Sequence, residues 1–417
     1  MSELVPVEQA LEHILARAVP VGQESVPLDS VLGRLLAQDI TAEDDLPPFA
    51  SSSMDGYAVR AADVASVPVR LRVVMDIPAG TAPRGGVGPG EAARIMTGAP
   101  IPDGADAVVP VEHTDTGWTP GSATPIIAEV GIHRPAAPAS NVRPPGEDVR
   151  AGQVVLRAGR RLRPADIGML AALGQTHVEV VRRPRVAVVS TGDELLPVDA
   201  PLRPGAIRDS NSYMVAALVR TWGGEALRLP VARDTLESVR AVFAQALEAG
   251  PDLVISTAGV SVGAADVVRT VLDELGEVSL WRVNVRPGKP LAFGHLQSVP
   301  FFGLPGNPVS AAVTFDIFVR PFLLRLQRQA DTATVARAVT AEDLRSDGRR
   351  SYLRVTVARQ GEQLIARTTG TQSSGALMSM VLADGLLIVP EGVTFVPAGS
   401  TLDVRLFGEV DIVALNN

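Results

Sequence analysis

The chain holds one lysine among 38 basic residues, and that lysine, Lys289, lies in the run Arg286-Pro287-Gly288-Lys289-Pro290. A coding preference for arginine explains the shortage but not the survivor. Arginine serves wherever a solvated charge suffices, whereas a compact ammonium suits a tight anion site. Three further turns have residue types that suit phosphate chemistry. Ser190-Thr191-Gly192-Asp193-Glu194 combines hydroxyls with two carboxylates. Thr257-Ala258-Gly259-Val260-Ser261-Val262-Gly263 has the glycines and small side chains that let backbone amides approach a ligand. In Leu304-Pro305-Gly306-Asn307-Pro308, Asn307 suits a helix N-cap and Pro308 the first helical position.

The acids nearby read in two ways. Asp209 suits capping the helix that follows it, and Asp266 suits a helix dipole. Together with Glu194 they also form the carboxylate set of a magnesium-phosphate site, because Mg²⁺ takes oxygen ligands and bridges phosphates. Two polar turns stand apart: Ser51-Ser52-Ser53-Met54-Asp55-Gly56-Tyr57 and Thr97-Gly98-Ala99-Pro100. Ordinary hairpin chemistry also accounts for these.

The elements that must position these turns follow from periodicity. Between residues 184 and 326 apolar strands alternate with helical stretches. Arg185 to Ser190, Ala226 to Val231, Asp252 to Thr257, Leu280 to Val285 and Pro300 to Leu304 read as strands; 210–221, 234–249, 265–276 and 308–328 read as helices. Such alternation predicts a three-layer α/β domain with a largely parallel sheet, and ligands of such sheets bind beyond the strands' carboxyl ends. All three phosphate-type turns belong there. Residues 6–18 have helical spacing; short β-like runs between Gly/Pro clusters fill 46–143; Pro164 to Leu173 reads as a helix closed by Gly174; and Tyr352 to Val357, Leu364 to Arg367, Leu386 to Val389 and Thr401 to Leu406 read as a final β module.

At 417 residues the chain exceeds one ordinary core, since cores stop growing near about 250 to 300 residues. The expected division is 1–45 with 144–180, 46–143, 181–328 and 329–417. No apolar run reaches the roughly 18 to 20 residues that span a bilayer, and the acidic amphipathic start is unlike a signal peptide, so a cytoplasmic protein is expected. With no cysteine, disulfides, thiolate catalysis and Cys-based metal sites are excluded. His13, His113, His133, His177 and His295 lack ligand spacing; any metal is held by oxygen. A net charge of -8 argues against a nucleic-acid partner.

With these segments read, the chain resembles the molybdopterin molybdenumtransferase family, the bacterial MoeA proteins and the gephyrin E domain. The resembling stretches are colinear: Ser53-Met54-Asp55-Gly56-Tyr57-Ala58, Arg94 to Pro102, Gly104 to Val109, Gly146-Glu147-Asp148, Ser190 to Leu195, Gly259 to Gly263, Arg286 to Pro290 and Leu304 to Ser310. The resemblance implies a four-domain homodimer whose MogA-like α/β domain holds the pterin nucleotide, with a β-rich insert, a mixed linker domain and a C-terminal β-barrel-like domain. The partner subunit's insert would help close the site. The reaction implied is insertion of molybdate into adenylyl-molybdopterin with release of AMP. Glu194, Asp209 and Asp266 are similar to the acids of the pterin and Mg²⁺ site, with Glu194 and Asp266 as metal ligands. Asp55, Thr97 and Asp148 are similar to the contributors from the insert and first domain. Ser190, Thr191, Gly192, Ser261, Gly263, Pro305, Gly306 and Asn307 fall in substrate loops, Arg286 and Lys289 in an anion loop, and Arg354 and Ser374 are similar to a molybdate-binding pair.

The sequence departs from the family pattern at Arg282 and Arg286, where relatives often have lysine, at Ala258, where a second glycine is usual, and at Ala264, where a carboxylate is frequent. Two other readings stand beside this one: the preceding adenylylation of the pterin, and a gephyrin-like scaffold. The resemblance also implies dealings with the molybdopterin adenylyltransferase and with downstream cofactor-handling proteins.

Overall fold

The computed structural model describes residues 4–116, 127–257, 265–331 and 333–407. The chain divides into two compact units, residues 25–180 and residues 1–24 with 181–417.

In the larger unit a six-stranded sheet runs in the order Glu225–Arg228, Arg185–Ser190, Leu253–Thr257, Val299–Leu304, Pro290–Leu296, Gly276–Arg282. The first four strands are parallel; the last two pair antiparallel as an edge. Val186, Ala187, Val188 and Val189 of the second strand are all buried, as a sheet covered on both faces requires. Helices Asn211–Thr221, Leu236–Glu248 and Ala265–Leu275 alternate with the strands. In Leu236–Glu248 the buried residues Val239, Val242, Phe243 and Ala246 follow the helical period, and Thr235 Oγ1 caps the start by accepting from Ser238 N at 3.2 Å. One core joins the helices Leu236–Glu248 and Ala265–Leu275 to the sheet: Phe243 and Phe301 are fully buried in it. The stretch expected as one helix over 308–328 is Pro308–Thr314, a π-helical turn Phe315–Val319, and Arg320–Leu326.

The C-terminal part of this unit is a closed β-barrel sheet. Arg350–Gln360 pairs with both Gln363–Thr368 and Gly385–Val389, and Val335–Thr340 with Thr401–Leu406 completes the ring. Its core gathers Leu353, Val355, Val357, Leu387, Val389 and Val404.

In the smaller unit a five-stranded sheet has the order Ala107–Pro110, Gly56–Val59, Glu91–Ile95, Val69–Ile77, Glu129–Ile132, with a buried cluster on each face. A separate core holds Leu36, Ile40, Leu156, Leu170 and Val180 around the helix Pro164–Ala172. Gly174 follows that helix at φ +73°, the backbone sign that glycine accepts freely. Among the described residues no helix is long and apolar enough to cross a membrane.

Candidate functional site

Because the central strands are parallel, their carboxyl ends at Ser190, Thr257 and Leu304 lie at one edge of the sheet. There a cavity of about 350 Å³ is lined by Thr191, Glu194, Asp209, Asn211, Thr257, Gly306 and Asn307 among others. The expectation that these turns share a mouth is met for the described residues. The roles within it differ. The Ser190 hydroxyl is wholly buried and shares a hydrogen bond of 2.8 Å with Thr257 Oγ1. It braces two strand ends and is not presented to a ligand. Gly192 stands at φ +150°, and a Cβ there would come within 2.7 Å of both carboxylate oxygens of Glu194. Glycine thus lets the exposed Glu194 fold back over the loop. Asp209 is buried and accepts from Ser212 N at 3.0 Å, so the capping role is real; it still borders the cavity. Ser261 and Gly263 lie outside the described residues. Asp266 falls in the helix Ala265–Leu275, but its side chain also lies outside them.

A larger cavity, of about 740 Å³, adjoins on the side of Gly192, Asp193 and Asp209 and reaches Tyr213, Arg228 and Arg233. The Arg228 guanidinium lies 3.3 Å from the centre of the Tyr213 ring and its Nε donates to Ser212 Oγ at 3.0 Å.

The anion loop faces a different cavity, of about 410 Å³, lined by Arg286, Gly288, Lys289, Arg349, Tyr352, Arg354, Gln372, Ser373 and Ser374 among others. Among the described residues no carboxylate lines it. Gly288 sits at φ +108°, and a Cβ would lie 2.4 Å from Thr314 Oγ1, so only glycine brings this loop so close to the helix Pro308–Thr314. Arg286 pairs with Asp347 at 3.7 Å, and Arg349 binds the same acid more tightly, at 2.5 Å. Arg349 and Arg286 together hold the Asp347 carboxyl below its usual range, the Arg349 hydrogen bond having the larger effect. Among the described residues Lys289 has no ion pair. Arg354 is only 1% exposed and also has no carboxylate partner among the described residues; burial, and then the charge of Arg286, push its pKa down to about 10. Burial likewise raises the pKa of Tyr352. A buried cation is costly unless an anion joins it.

Ser374 of this cavity is tied to Asn307, which lines the strand-end cavity. Asn307 occupies the N-cap position as expected, but its side chain makes no cap bond. Instead Asn307 Nδ2 donates to Ser374 Oγ at 3.0 Å, and Val309 N donates to Ser374 O at 3.1 Å. Asn211 Nδ2 fixes the same loop by donating to Gly306 O at 2.7 Å, while Pro305 before it is buried.

In the smaller unit, Asp55 Oδ1 accepts from Thr97 N at 2.7 Å and from Thr97 Oγ1 at 2.9 Å, joining the two polar turns. Asp148 is exposed, on a turn whose amide donates to Leu46 O at 2.9 Å. Sequence reasoning did not single out Gln372, Ser379, Arg349 or Asp347. Gln372 stands two residues before Ser374, which the resemblance singled out; for Ser379 no local signal exists.

An α/β domain with a strand-end cavity stands beside a cation-lined cavity that a β-barrel completes, which defines the class as a multidomain α/β protein with an anion-type site. Comparison with known proteins narrows the class. Residues 5–174 match the MoeA N-terminal region (domain I and II), 187–325 a probable molybdopterin binding domain and 337–407 the MoeA C-terminal region (domain IV). The chain is 40% identical over 393 residues to molybdopterin molybdenumtransferase 2 of Mycobacterium tuberculosis, covering 91% of this chain and 94% of that one. It is 35% identical to the molybdopterin molybdenumtransferase of Bacillus subtilis, covering 97% and 94%. A solved molybdopterin biosynthesis MoeA protein of Pyrococcus horikosii superposes with a TM-score of 0.84 at 36% identity, covering 98% of this chain and all of that one. The chain belongs to the molybdopterin molybdenumtransferase (MoeA) family, whose enzymes serve molybdenum cofactor biosynthesis.

Proposed function

We propose that this chain inserts molybdate into adenylyl-molybdopterin and releases AMP. The observation that carries the reading is Arg354: a buried guanidinium with no acid beside it, bordering a cavity that also presents Lys289, Arg286 and Ser374. A tetrahedral oxyanion supplies the missing negative charge and accepts from these donors. The pterin nucleotide takes the adjoining strand-end cavity, and Ser374 and Asn307 stand where the two substrates meet. The adenylate is already activated, so the chain needs no nucleophile of its own. Its residues supply positioning and charge stabilisation.

Mg²⁺ is the expected metal. Among the described residues no group of three or more His, Cys, Asp or Glu could hold a metal ion. Mg²⁺ commonly takes one or two carboxylates and completes its shell with phosphate oxygens and water. Exposed Glu194, whose carboxylate makes no hydrogen bond or ion pair within the described residues, suits that arrangement, with Asp266 as the second ligand. The metal would neutralise phosphate charge. We further propose a homodimer in the cytoplasm, with the four-domain division given above, each part of which has a hydrophobic cluster. Light scattering of the purified chain tests the dimer.

The deciding experiment supplies purified protein with adenylyl-molybdopterin, Mg²⁺ and molybdate and measures AMP, with Lys289→Ala as the control. Molybdate-dependent AMP release that the control loses is the expected result. No release from folded wild-type protein would overturn the reading in favour of a scaffold.

A further inference from the structure

We infer that Ser379 is a positioning residue that aims the Arg354 guanidinium at the substrate oxyanion. The inference rests on the oxyanion reading of that cavity. Ser379 itself is buried and is not among the cavity's lining residues, so whatever it does there it does through Arg354. Arg354 sits within the long barrel strand Arg350–Gln360. Its Nε donates to Ser379 Oγ at 3.1 Å, and its Nη2 donates to Ser373 O at 3.1 Å and, more loosely, to Thr371 O at 3.4 Å. Nη1 makes no hydrogen bond with the described residues. A guanidinium is a rigid planar fork of five donors. Fixing Nε and Nη2 therefore fixes the plane, and with it the direction in which Nη1 points.

The Ser379 hydroxyl suits this task because its own hydrogen is committed: Oγ donates to Ala376 O at 2.7 Å. Its lone pairs are thereby left for Nε. The strand is pinned on the other side by Gln372, whose Oε1 accepts from Arg354 N at 3.0 Å and whose Nε2 donates to Arg354 O at 3.2 Å. Every acceptor offered to the guanidinium is neutral. A carboxylate in the place of Ser379 would orient Arg354 equally well but would cancel the charge that attracts the oxyanion. Neutral acceptors orient it and leave the charge for the ligand.

The test is titration calorimetry of sodium molybdate into the full-length protein. Ser379→Ala is expected to weaken molybdate binding at least about tenfold, the loss of one charge-assisted hydrogen bond's worth of alignment, with the thermal midpoint of the ligand-free protein little changed. Ser379→Thr, which keeps the acceptor, should restore binding to within about twofold of wild type. Ser379→Asp should abolish it. Ser379→Cys, nearly isosteric but a poor acceptor, covers the case in which the alanine variant fails to fold; it should bind as weakly as alanine. In turnover the KM for molybdate should rise while that for the pterin adenylate stays. Wild-type molybdate affinity in folded Ser379→Ala or Ser379→Cys overturns the inference. Arg354→Ala separates the two ideas: if it loses binding while Ser379→Ala keeps it, only the positioning role fails, and if it binds molybdate as wild type does, the oxyanion reading itself fails.

Discussion

The Arg354 side chain faces opposing demands, and its titration exposes them. Burial, and then the charge of Arg286, push its pKa down to about 10, below that of an ordinary arginine. The folded chain therefore releases this proton before the unfolded chain does. The cost of the buried charge is full below about pH 10 and lessens as pH rises from there toward the ordinary arginine range. Molybdate affinity should run the opposite way: level from neutral pH upward, then falling through about pH 10 as the guanidinium loses its charge. Calorimetry across that range checks it, and an affinity that stays level through about pH 10 would remove the Arg354 charge from the binding step. The same logic governs stability. Molybdate at a hundred times its dissociation constant should add about 2.7 kcal/mol, seen as a higher thermal midpoint, and Arg354→Met should abolish that rise. Of this site, Lys289 was legible from its rarity alone. Arg354 was not: an arginine in a barrel strand reads as a surface residue, and only the resemblance singled it out. Its burial and its missing acid are properties of the folded neighbourhood.

At the scale of elements, two short segments decide where the site residues stand. Asp209 caps the helix Asn211–Thr221 through Ser212 N, and asparagine caps about as well as aspartate. Asp209→Asn should therefore keep the stability of the wild type, while Asp209→Ala should lose about 1 kcal/mol in urea unfolding. If Asp209→Asn also loses turnover, the acid has a chemical role beyond the cap. Gly288 holds the anion loop against the helix Pro308–Thr314. Gly288→Ala forces a clash with Thr314 and should cost about 1 to 3 kcal/mol, with weaker molybdate binding as Lys289 moves; unchanged unfolding would mean the loop yields freely. The alternating strands and helices of 184–326 were readable because the parallel strands are almost uniformly apolar. The strand Pro290–Leu296, next to the edge, was missed, since its proline, glycine and histidine hide a β pattern that pairs antiparallel with both neighbours. Gly56–Val59 was likewise hidden behind the polar turn before it, and the π-helical turn at Phe315–Val319 leaves no mark in periodicity.

Within the larger unit, the oxyanion cavity draws Arg286 and Lys289 from the α/β domain and Arg354 and Ser374 from the barrel, so its geometry depends on how firmly those two parts are joined. An ionic ring, buried at Asp316 and Arg320 and more open at Asp331, joins them. Arg320 binds Asp316 and Asp331, each at 2.9 Å, and packs over the Trp222 ring at 3.8 Å. From the barrel strand Thr401–Leu406, Arg405 reaches back to the Asp316 carboxylate and to Asp331 at 3.1 Å. The π-helical turn that interrupts the helix is what carries Asp316 in this ring. Without Arg405, Arg320 alone faces the carboxylates of Asp316 and Asp331, and losing charge-assisted bonds of this kind typically costs about 1.5 to 3 kcal/mol. Arg405→Ala should lose that much in urea unfolding and should also weaken molybdate binding, although Arg405 does not line the cavity. The exposed pair Arg240 and Glu274, at 2.9 Å on the helical face of the α/β domain, provides the contrast: Arg240→Ala should change stability by less than about 1 kcal/mol and leave binding untouched. Equal effects from the two variants would mean that the barrel is held against the α/β domain by its apolar contacts, and that the ring contributes nothing to aligning Arg354 with Lys289.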